Sequence, residues 1–165
     1  MINYRTGTEK DIQPIAKLLI ETWNCCYKEF IPAKFLRNLQ IDRQIQRHKK
    51  YISKNTKYYI AENAARELIG FTSYGKNRLE KINCEKELYT LYVKKAYHGR
   101  GIGKSLIDLI WSDLKNSQKK IAVTVFKKNP FKNFYIKNGF VKIDEEIINL
   151  GEFELIGEIY IKQDI

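Results

Sequence analysis

The chain has 165 residues, 44% of them hydrophobic, which favours a single domain, residues 1–165, around one core. No apolar window reaches the ~18 residues that a membrane span needs, and residues 1–5 lack the apolar segment of a signal peptide. The net charge of +11 is spread without a run of five basic residues, so we favour steering of an anionic small molecule over binding of nucleic acid.

The cysteines argue against a disulfide framework and against a metal site. There are three of them, Cys25, Cys26 and Cys84, and two are adjacent. An odd number without a C-x-x-C pair does not match structural zinc sites. We therefore expect no metal and a reducing, cytoplasmic environment.

The first part of the chain is predicted to contain a strand and then a helix. The strand covers residues 2–5, and Thr8 caps the helix with Asp11 in the reciprocal capping position. Apolar residues follow at helical spacing: Ile12, Ile15, Ala16, Leu19, Ile20 and Trp23. Aromatic residues gather near the end of this helix: Trp23, Tyr27 and Phe30.

Two more helices are predicted before the next strand. Pro32 breaks the first helix or opens a new one, and the apolar spacing indicates a short helix over residues 35–39 and a longer one over residues 41–52. His48 shares the apolar stripe of the longer helix and has no ligand-like neighbour. We interpret His48 as a structural residue.

A hairpin and a central strand come next. The hairpin strands are residues 57–61 and 68–74, a polar loop follows over residues 78–85, and the central strand covers residues 87–93. Strict alternation would place Glu87, Tyr89, Leu91 and Val93 on one face of that strand.

The second half of the chain alternates helices and strands. A helix is predicted over residues 102–114 and a β-branched strand over residues 120–126. Asn129-Pro130 reads as a cap and a first helical residue, and the short helix that follows stops at Asn138-Gly139. Strands over residues 140–148 and 153–161 close the chain, so the order predicts a mixed sheet flanked by helices.

The glycine-rich segment between the central strand and the next helix is typical of a phosphate-binding loop, because a helix N-terminus attracts anions. A P-loop would need glycine where His98 stands, and a dinucleotide fingerprint would need glycine where Lys104 stands. A simple turn would not explain Gly99, Gly101 and Gly103, since three glycines in five residues are costly in backbone entropy.

The pattern His98-x-x-Gly101-x-Gly103, preceded by Leu91-Tyr92-Val93 and followed by a helix, resembles the acetyl-CoA loop of the GNAT family, the Gcn5-related N-acetyltransferases. Family members usually have Gln or Arg at the first position, where this chain has His98. The backbone can hold a pyrophosphate with either residue there.

Residues 129–140 are similar to the second signature of the family, an Asn-containing helix that ends in F-Y-x-x-x-G-F, here residues 134–140. The usual gap from Asn to Tyr is one residue longer than the gap from Asn129 to Tyr135. Lys128 would therefore fill the family's Asn position, and the role of Asn129 stays open.

The resemblance implies an α/β fold (an α+β mixed sheet), the GNAT acyl-CoA N-acyltransferase fold with the order β-α-α-β-β-β-α-β-α-β-β. It implies acetyl-CoA as cosubstrate, held by the central strand, the loop and the start of the helix. The implied cofactor-binding residues are Leu91, Tyr92, Val93, His98, Gly99, Arg100, Gly101, Gly103, Lys104, Ser105 and Asn129.

The resemblance also implies the catalytic roles. Tyr135 would be the general acid that protonates the thiolate, and Glu87, six residues before Val93, would be the general base. Both residues could instead be structural. An acceptor wall would be formed by Trp23, Tyr27 and Phe30, for which simple packing is an equal alternative.

The implied function is direct transfer of an acetyl group to a primary amine of a small molecule or peptide. The alternative is a catalytically idle module that binds acyl-CoA as a sensor or interaction domain. The expected partners are acetyl-CoA and an amine acceptor, without nucleic acid or membrane, and a homodimer is compatible with the resemblance.

Overall fold

The computed structural model of the chain describes residues 1–115 and 119–164. Its strands are β1 (Asn3–Thr6), β2 (Lys57–Glu62), β3 (Leu68–Lys76), β4 (Lys86–Val93), β5 (Lys120–Phe126), β6 (Val141–Leu150) and β7 (Phe153–Gln163). Its α-helices are α1 (Ile12–Cys26), α2 (Ala33–Arg37), α3 (Ile41–Ser53), α4 (Ile102–Asp113) and α5 (Asn133–Lys137). None of the helices in this described part is long and apolar enough to cross a membrane.

The strands form one mixed sheet in the order β1-β2-β3-β4-β5-β7-β6. Every neighbouring pair is antiparallel except β4 and β5, which are parallel. Helices α1 and α3 cover one face of the sheet and share one apolar cluster. Helices α4 and α5 cover the other face and share a second cluster, and α4 also contributes to a third. The predicted mixed sheet is confirmed, with the short helix α2 as one element more than the family order implies.

The start of the first helix follows the predicted capping. Asp11 accepts a hydrogen bond of 2.8 Å from the Thr8 backbone N–H, which completes the capping box. The start of the last helix differs from the prediction. The Asn129 Oδ1 accepts a bond of 2.8 Å from the backbone N–H of Phe131 and closes a turn, so α5 begins only at Asn133.

Strands β4 and β5 pair over only part of their length. The parallel register joins Lys86 to Ile121 and Leu88 to Val123, and it ends there. Beyond this point β4 continues to Val93 and β5 continues to Phe126, but the two strands no longer pair with each other. The two strands therefore splay apart and open a cleft through the sheet, in which one edge of β4 has no strand partner.

Strand β4 carries a bulge. On its other side, Ser73 of β3 lies opposite Thr90, but the next residue, Tyr74, lies opposite Leu88. Tyr89 is therefore an extra residue on β4, and such a residue shifts the strand's alternation by one.

The bulge changes which side chains of β4 share a face. Leu88 and Leu91 belong to one apolar cluster under α4, and Tyr92 belongs to the cluster under α1. The alternation that puts Glu87 on the face of Leu91 and Val93 is wrong, because the extra residue lies between them. Glu87 instead faces the α1–α3 side of the sheet.

Candidate active site

The cleft between the splayed strands has a volume of about 340 Å³. It is lined by β4, the loop before α4, the first turn of α4, the segment after β5, and one side of α1 and α5. The predicted site residues that line it are Tyr27, Leu91, Tyr92, Val93, His98, Gly99, Gly101, Gly103, Lys104, Asn129 and Tyr135. The predicted site residues that lie outside this lining are Trp23, Phe30, Glu87, Arg100 and Ser105.

The glycine-rich loop presents backbone rather than side chains to the cleft. Gly99 and Gly101 both have φ of +76°, a conformation that favours glycine, and a Cβ at either position would point into open space. The backbone N–H of Ser105 donates to the Gly101 carbonyl at 3.0 Å as the first bond of α4. The N–H groups before Ser105 therefore have no helical acceptor and are suited to an anion.

His98 joins the two sides of the cleft mouth. Its Nε2 lies 2.8 Å from the Val93 carbonyl oxygen, and its ring packs edge-on against Phe131 with centroids 5.0 Å apart. Sequence reasoning missed Phe131, although it lies within residues 129–140, the segment similar to the second signature. It also missed Phe134 of the F-Y signature, whose ring packs so closely on Gly103 in the first turn of α4 that a Cβ there would lie 3.1 Å from it.

Tyr135 is buried between apolar neighbours, with its ring against Phe134, Phe140 and Tyr160. It lines the cleft and also a smaller cavity of about 60 Å³ between β4 and β5. Burial, and secondarily the nearby Tyr92, raise the pKa of its hydroxyl well above the usual value. Tyr135 therefore keeps its proton at neutral pH and can donate it.

Glu87 is 3% exposed and bound to the loop before β4. Arg78 donates to its carboxylate from Nη2 at 2.7 Å, from Nε at 3.0 Å and from the backbone N–H at 2.9 Å. The guanidinium also lies 4.0 Å from the centroid of the Tyr89 ring. In this arrangement both carboxylate oxygens of Glu87 are occupied, and neither cavity between β4 and β5 is lined by it.

The aromatic residues of α1 and the following turn pack on the end of β5. Phe126, which the sequence reasoning missed, lies 5.6 Å from the ring of Trp23, 5.9 Å from that of Tyr27 and 5.7 Å from that of Phe30. The Trp23 Nε1 donates to the Tyr92 hydroxyl at 2.9 Å. Only Tyr27 of the predicted wall reaches the cleft, while Trp23 and Phe30 support it from behind.

Asn129 connects this wall to the segment after β5. It is 8% exposed, and its Nδ2 lies 3.4 Å from the Tyr27 hydroxyl oxygen. Burial raises the pKa of Tyr27, which stays a neutral hydroxyl. Asn129 is thus placed to order the cleft wall, and its relation to the family's Asn stays a prediction.

Comparison with known proteins gives a family match and similar structures. Residues 26–151 match the family described as acetyltransferase (GNAT) domain. An uncharacterized N-acetyltransferase, YuaI of Bacillus subtilis, is 27% identical over 139 residues, which cover 82% of this chain and 78% of that protein.

Two solved structures share the fold at low sequence identity. The PaiA N-acetyltransferase of Thermoplasma acidophilum, in complex with coenzyme A, superposes with a TM-score of 0.75 at 21% identity over 99% of both chains. The acetyltransferase yncA of Salmonella typhimurium, with its cofactor acetyl-CoA, gives a TM-score of 0.71 at 13% identity over 99% of this chain and 94% of that one.

Proposed function

The chain belongs to the GNAT acetyltransferase family, and on that premise we propose that it transfers the acetyl group of acetyl-CoA directly to a primary amine of a small molecule or peptide. We further propose that residues 1–165 act as one GNAT domain. The observation that carries the activity is the splay of β4 from β5 beside the glycine-rich start of α4.

The residues of the cleft fit acetyl-CoA. The free N–H groups of the loop and the first turn of α4 suit its pyrophosphate, and a Cβ at Gly99 or Gly101 would fill the space next to them. The unpaired edge of β4 around Leu91 and Val93 suits the amides of the pantetheine arm, which can pair with it like an added strand. Two proteins of the same fold, solved with coenzyme A and with acetyl-CoA, support this choice.

Two groups of the chain, a backbone N–H of β4 and the hydroxyl of Tyr135, serve the transfer. The thioester supplies an activated acetyl group, and a backbone N–H near Leu91 or Tyr92 on the unpaired edge polarises its carbonyl. The amine nitrogen bonds to the carbonyl carbon, and the carbon–sulfur bond breaks. Tyr135, which keeps its proton at neutral pH, donates that proton to the leaving thiolate.

Glu87 stays the base that the sequence predicts, but its surroundings are an obstacle to that role. Its oxygens already accept three hydrogen bonds from Arg78. The carboxylate would have to leave this ion pair before it could receive a proton from an amine.

The test is an assay of free thiol release from acetyl-CoA with a panel of primary amines. Tyr135→Phe should lower the turnover ~100-fold or more while the affinity for acetyl-CoA is unchanged, since general-acid catalysis contributes about that much. Tyr59→Phe, on β2 outside the cleft, is the matched control. Acetyl-CoA binding without thiol release from any amine would instead support the idle acyl-CoA-binding module, and absence of binding would contradict both functions.

A further inference from the structure

A second groove lies on the α1–α3 side of the sheet, next to the same splay. Its volume is about 690 Å³, and it runs between the loop from β3 to β4 and the hairpin of β6 and β7. Its apolar lining on that side includes Leu79 and Ile82 of the loop, which are half-buried, and Ile159 of β7, which lies opposite Thr124 in the sheet. Apolar side chains that line an open groove suit an apolar ligand segment.

Thr124 connects this groove to the inside of the splay. It follows Val123, the last β5 residue paired with β4. Val123 and Val125 lie in the cluster under α4, so alternation along β5 turns Thr124 to the α1–α3 side. Thr124 also lines the small cavity between β4 and β5 that Tyr135 lines.

Glu146 is the carboxylate at this junction. Its Oε1 accepts a hydrogen bond of 2.8 Å from the Thr124 hydroxyl, and it lies across from Gly157 of β7 on the groove side of the sheet. Among the described residues this is its only recorded hydrogen bond, and it takes part in no recorded ion pair. Its second oxygen is therefore free to accept from a ligand, in contrast to both oxygens of Glu87.

Two other charged side chains along the groove, unlike Glu146, are held in ion pairs. Arg78 is bound to Glu87, and Glu145 is bound to Lys127 and Lys142. The titratable and charged groups that line the groove with Glu146 are Arg78, Glu80 and Lys81 of the loop and Asp144 of its own strand. Glu145 borders the groove from the adjacent position and faces the other way.

We propose that Glu146 binds the acceptor amine and takes up its proton, and that Thr124 is the residue that positions it. This inference rests on the proposed function. The free oxygen of Glu146 takes one proton of the bound ammonium group, which frees the nitrogen lone pair to bond to the acetyl carbon. The carbon–sulfur bond breaks and the thiolate takes the proton of Tyr135. The second proton of the nitrogen passes through water to the Tyr135 phenolate, and Glu146 releases its proton to the solvent, which restores both residues.

The groove also defines the class of acceptor. An ammonium group at Glu146 leaves the rest of the molecule along Leu79, Ile82 and Ile159, which offer hydrocarbon rather than hydrogen bonds. The acceptor is therefore an aliphatic primary amine, whose methylene groups gain from burial against these side chains. The two substrates enter from opposite faces of the sheet and meet at the splay.

The test compares Glu146→Gln with Glu145→Gln in steady-state kinetics with n-alkylamines. Glu146→Gln should lower kcat/KM for the amine ~100-fold at pH ~7. The loss should shrink near pH ~10, where a free amine loses its proton unaided. Acetyl-CoA affinity by calorimetry should not change. Thr124→Val should cost about 10-fold, as expected for one hydrogen bond to a charged group. Glu145→Gln, on the adjacent position facing the other way, should behave as the wild type.

Several outcomes would overturn the inference while the proposed function stands. These are wild-type rates for Glu146→Gln, a loss of equal size at both pH values, or a pH-dependent loss in Glu87→Gln alone. Glu146→Asp, which keeps the carboxylate, should restore part of the rate and guards against a folding defect in the glutamine variant. If the wild type transfers no acetyl group to any amine, the proposed function itself fails, and that result is distinguishable from these.

Discussion

The His48 ring lies in the core between α3 and the sheet, 1% exposed, with its Nδ1 2.7 Å from the Tyr58 hydroxyl oxygen. Its Nε2 and the Oε1 of Gln44, one turn earlier on α3, are buried without a partner in the described residues. The sequence predicts a structural His48 from its apolar stripe, and the structure agrees. The pairing with Tyr58 could not be predicted, since it depends on how α3 packs on β2.

We expect His48 to make the stability of the fold depend on pH. Burial lowers its pKa from 6.5 to about 4. The unfolded chain therefore binds more protons between these values, so stability falls as the pH falls from ~6.5 towards ~4. The full difference corresponds to ~3 kcal/mol. Urea unfolding across this range should show a smaller loss in His48→Phe than in the wild type.

The matched control for this prediction is His98→Gln, because the His98 ring is exposed at the cleft mouth. It should keep the wild-type dependence of stability on pH. An unchanged pH dependence in His48→Phe would show that other groups cause the loss.

The ion pair of Arg78 and Glu87 gives a second prediction for single residues. The Arg78 side chain is 51% exposed and that of Glu87 is 4% exposed, so removal of the arginine leaves a buried carboxylate without its partner. Arg78→Met should destabilise the fold by ~2 kcal/mol, and the double variant Arg78→Met/Glu87→Gln should recover part of that loss. Equal unfolding free energies for the single and double variants would contradict this.

At the scale of elements, the loop before α4 has a backbone shape that side chains would disturb. Gly101 has φ of +76° and caps α4 at the cleft. Gly101→Ala should raise the dissociation constant for acetyl-CoA ~10-fold or more, because a Cβ would stand where we propose that the pyrophosphate binds and the left-handed backbone would be strained. Isothermal titration with acetyl-CoA measures this directly.

Gly151 offers a control with the same kind of strain away from the cleft. It has φ of +63° in the turn between β6 and β7, and a Cβ there also meets open space. Gly151→Ala should lose a similar amount of stability and keep the wild-type affinity for acetyl-CoA. A loss of affinity in both variants would mean that strain, not contact with the ligand, is responsible.

The element boundaries were largely predictable, and the geometry within β4 was not. Hydrophobic period and turn residues located every strand of the described sheet to within a few residues. No residue near Tyr89 predicts the bulge, because the residue types from Leu88 to Tyr92 fit a regular strand as well as a bulged one. That one residue decides the face on which Glu87 lies, so the face of Glu87 could not be predicted from the sequence.

At the scale of the whole molecule, the order of elements along the chain predicts a mixed sheet, but not which contacts cross it. Thr124 and Glu146 are 22 residues apart and meet only because β7 lies between β5 and β6. Phe126 likewise joins the aromatic wall through the packing of α1. The glycine loop and Tyr135 could be singled out from the sequence because they lie in local motifs. Residues that only the sheet topology brings together lie in no such motif.

We expect acetyl-CoA to stabilise the whole molecule. A ligand that binds only the folded state at 100 times its dissociation constant adds ~2.7 kcal/mol. For a chain of 165 residues this raises Tm by roughly 5–10 °C. Thermal melts with and without acetyl-CoA measure the shift. Gly101→Ala should show a smaller shift at the same concentration, and no shift in the wild type would contradict binding in the cleft.

The limited pairing of β4 with β5 has a mechanical consequence. Among the described residues, the strands β1 to β4 are hydrogen-bonded to the strands β5 to β7 only from Lys86 to Leu88 and from Ile121 to Val123. At the open end of the splay the two parts of the sheet meet through side chains, such as the ring contact of His98 with Phe131. A molecule that hydrogen-bonds along the unpaired edge of β4 would add backbone hydrogen bonds where the sheet has none, and its departure would leave this end held by side chains alone.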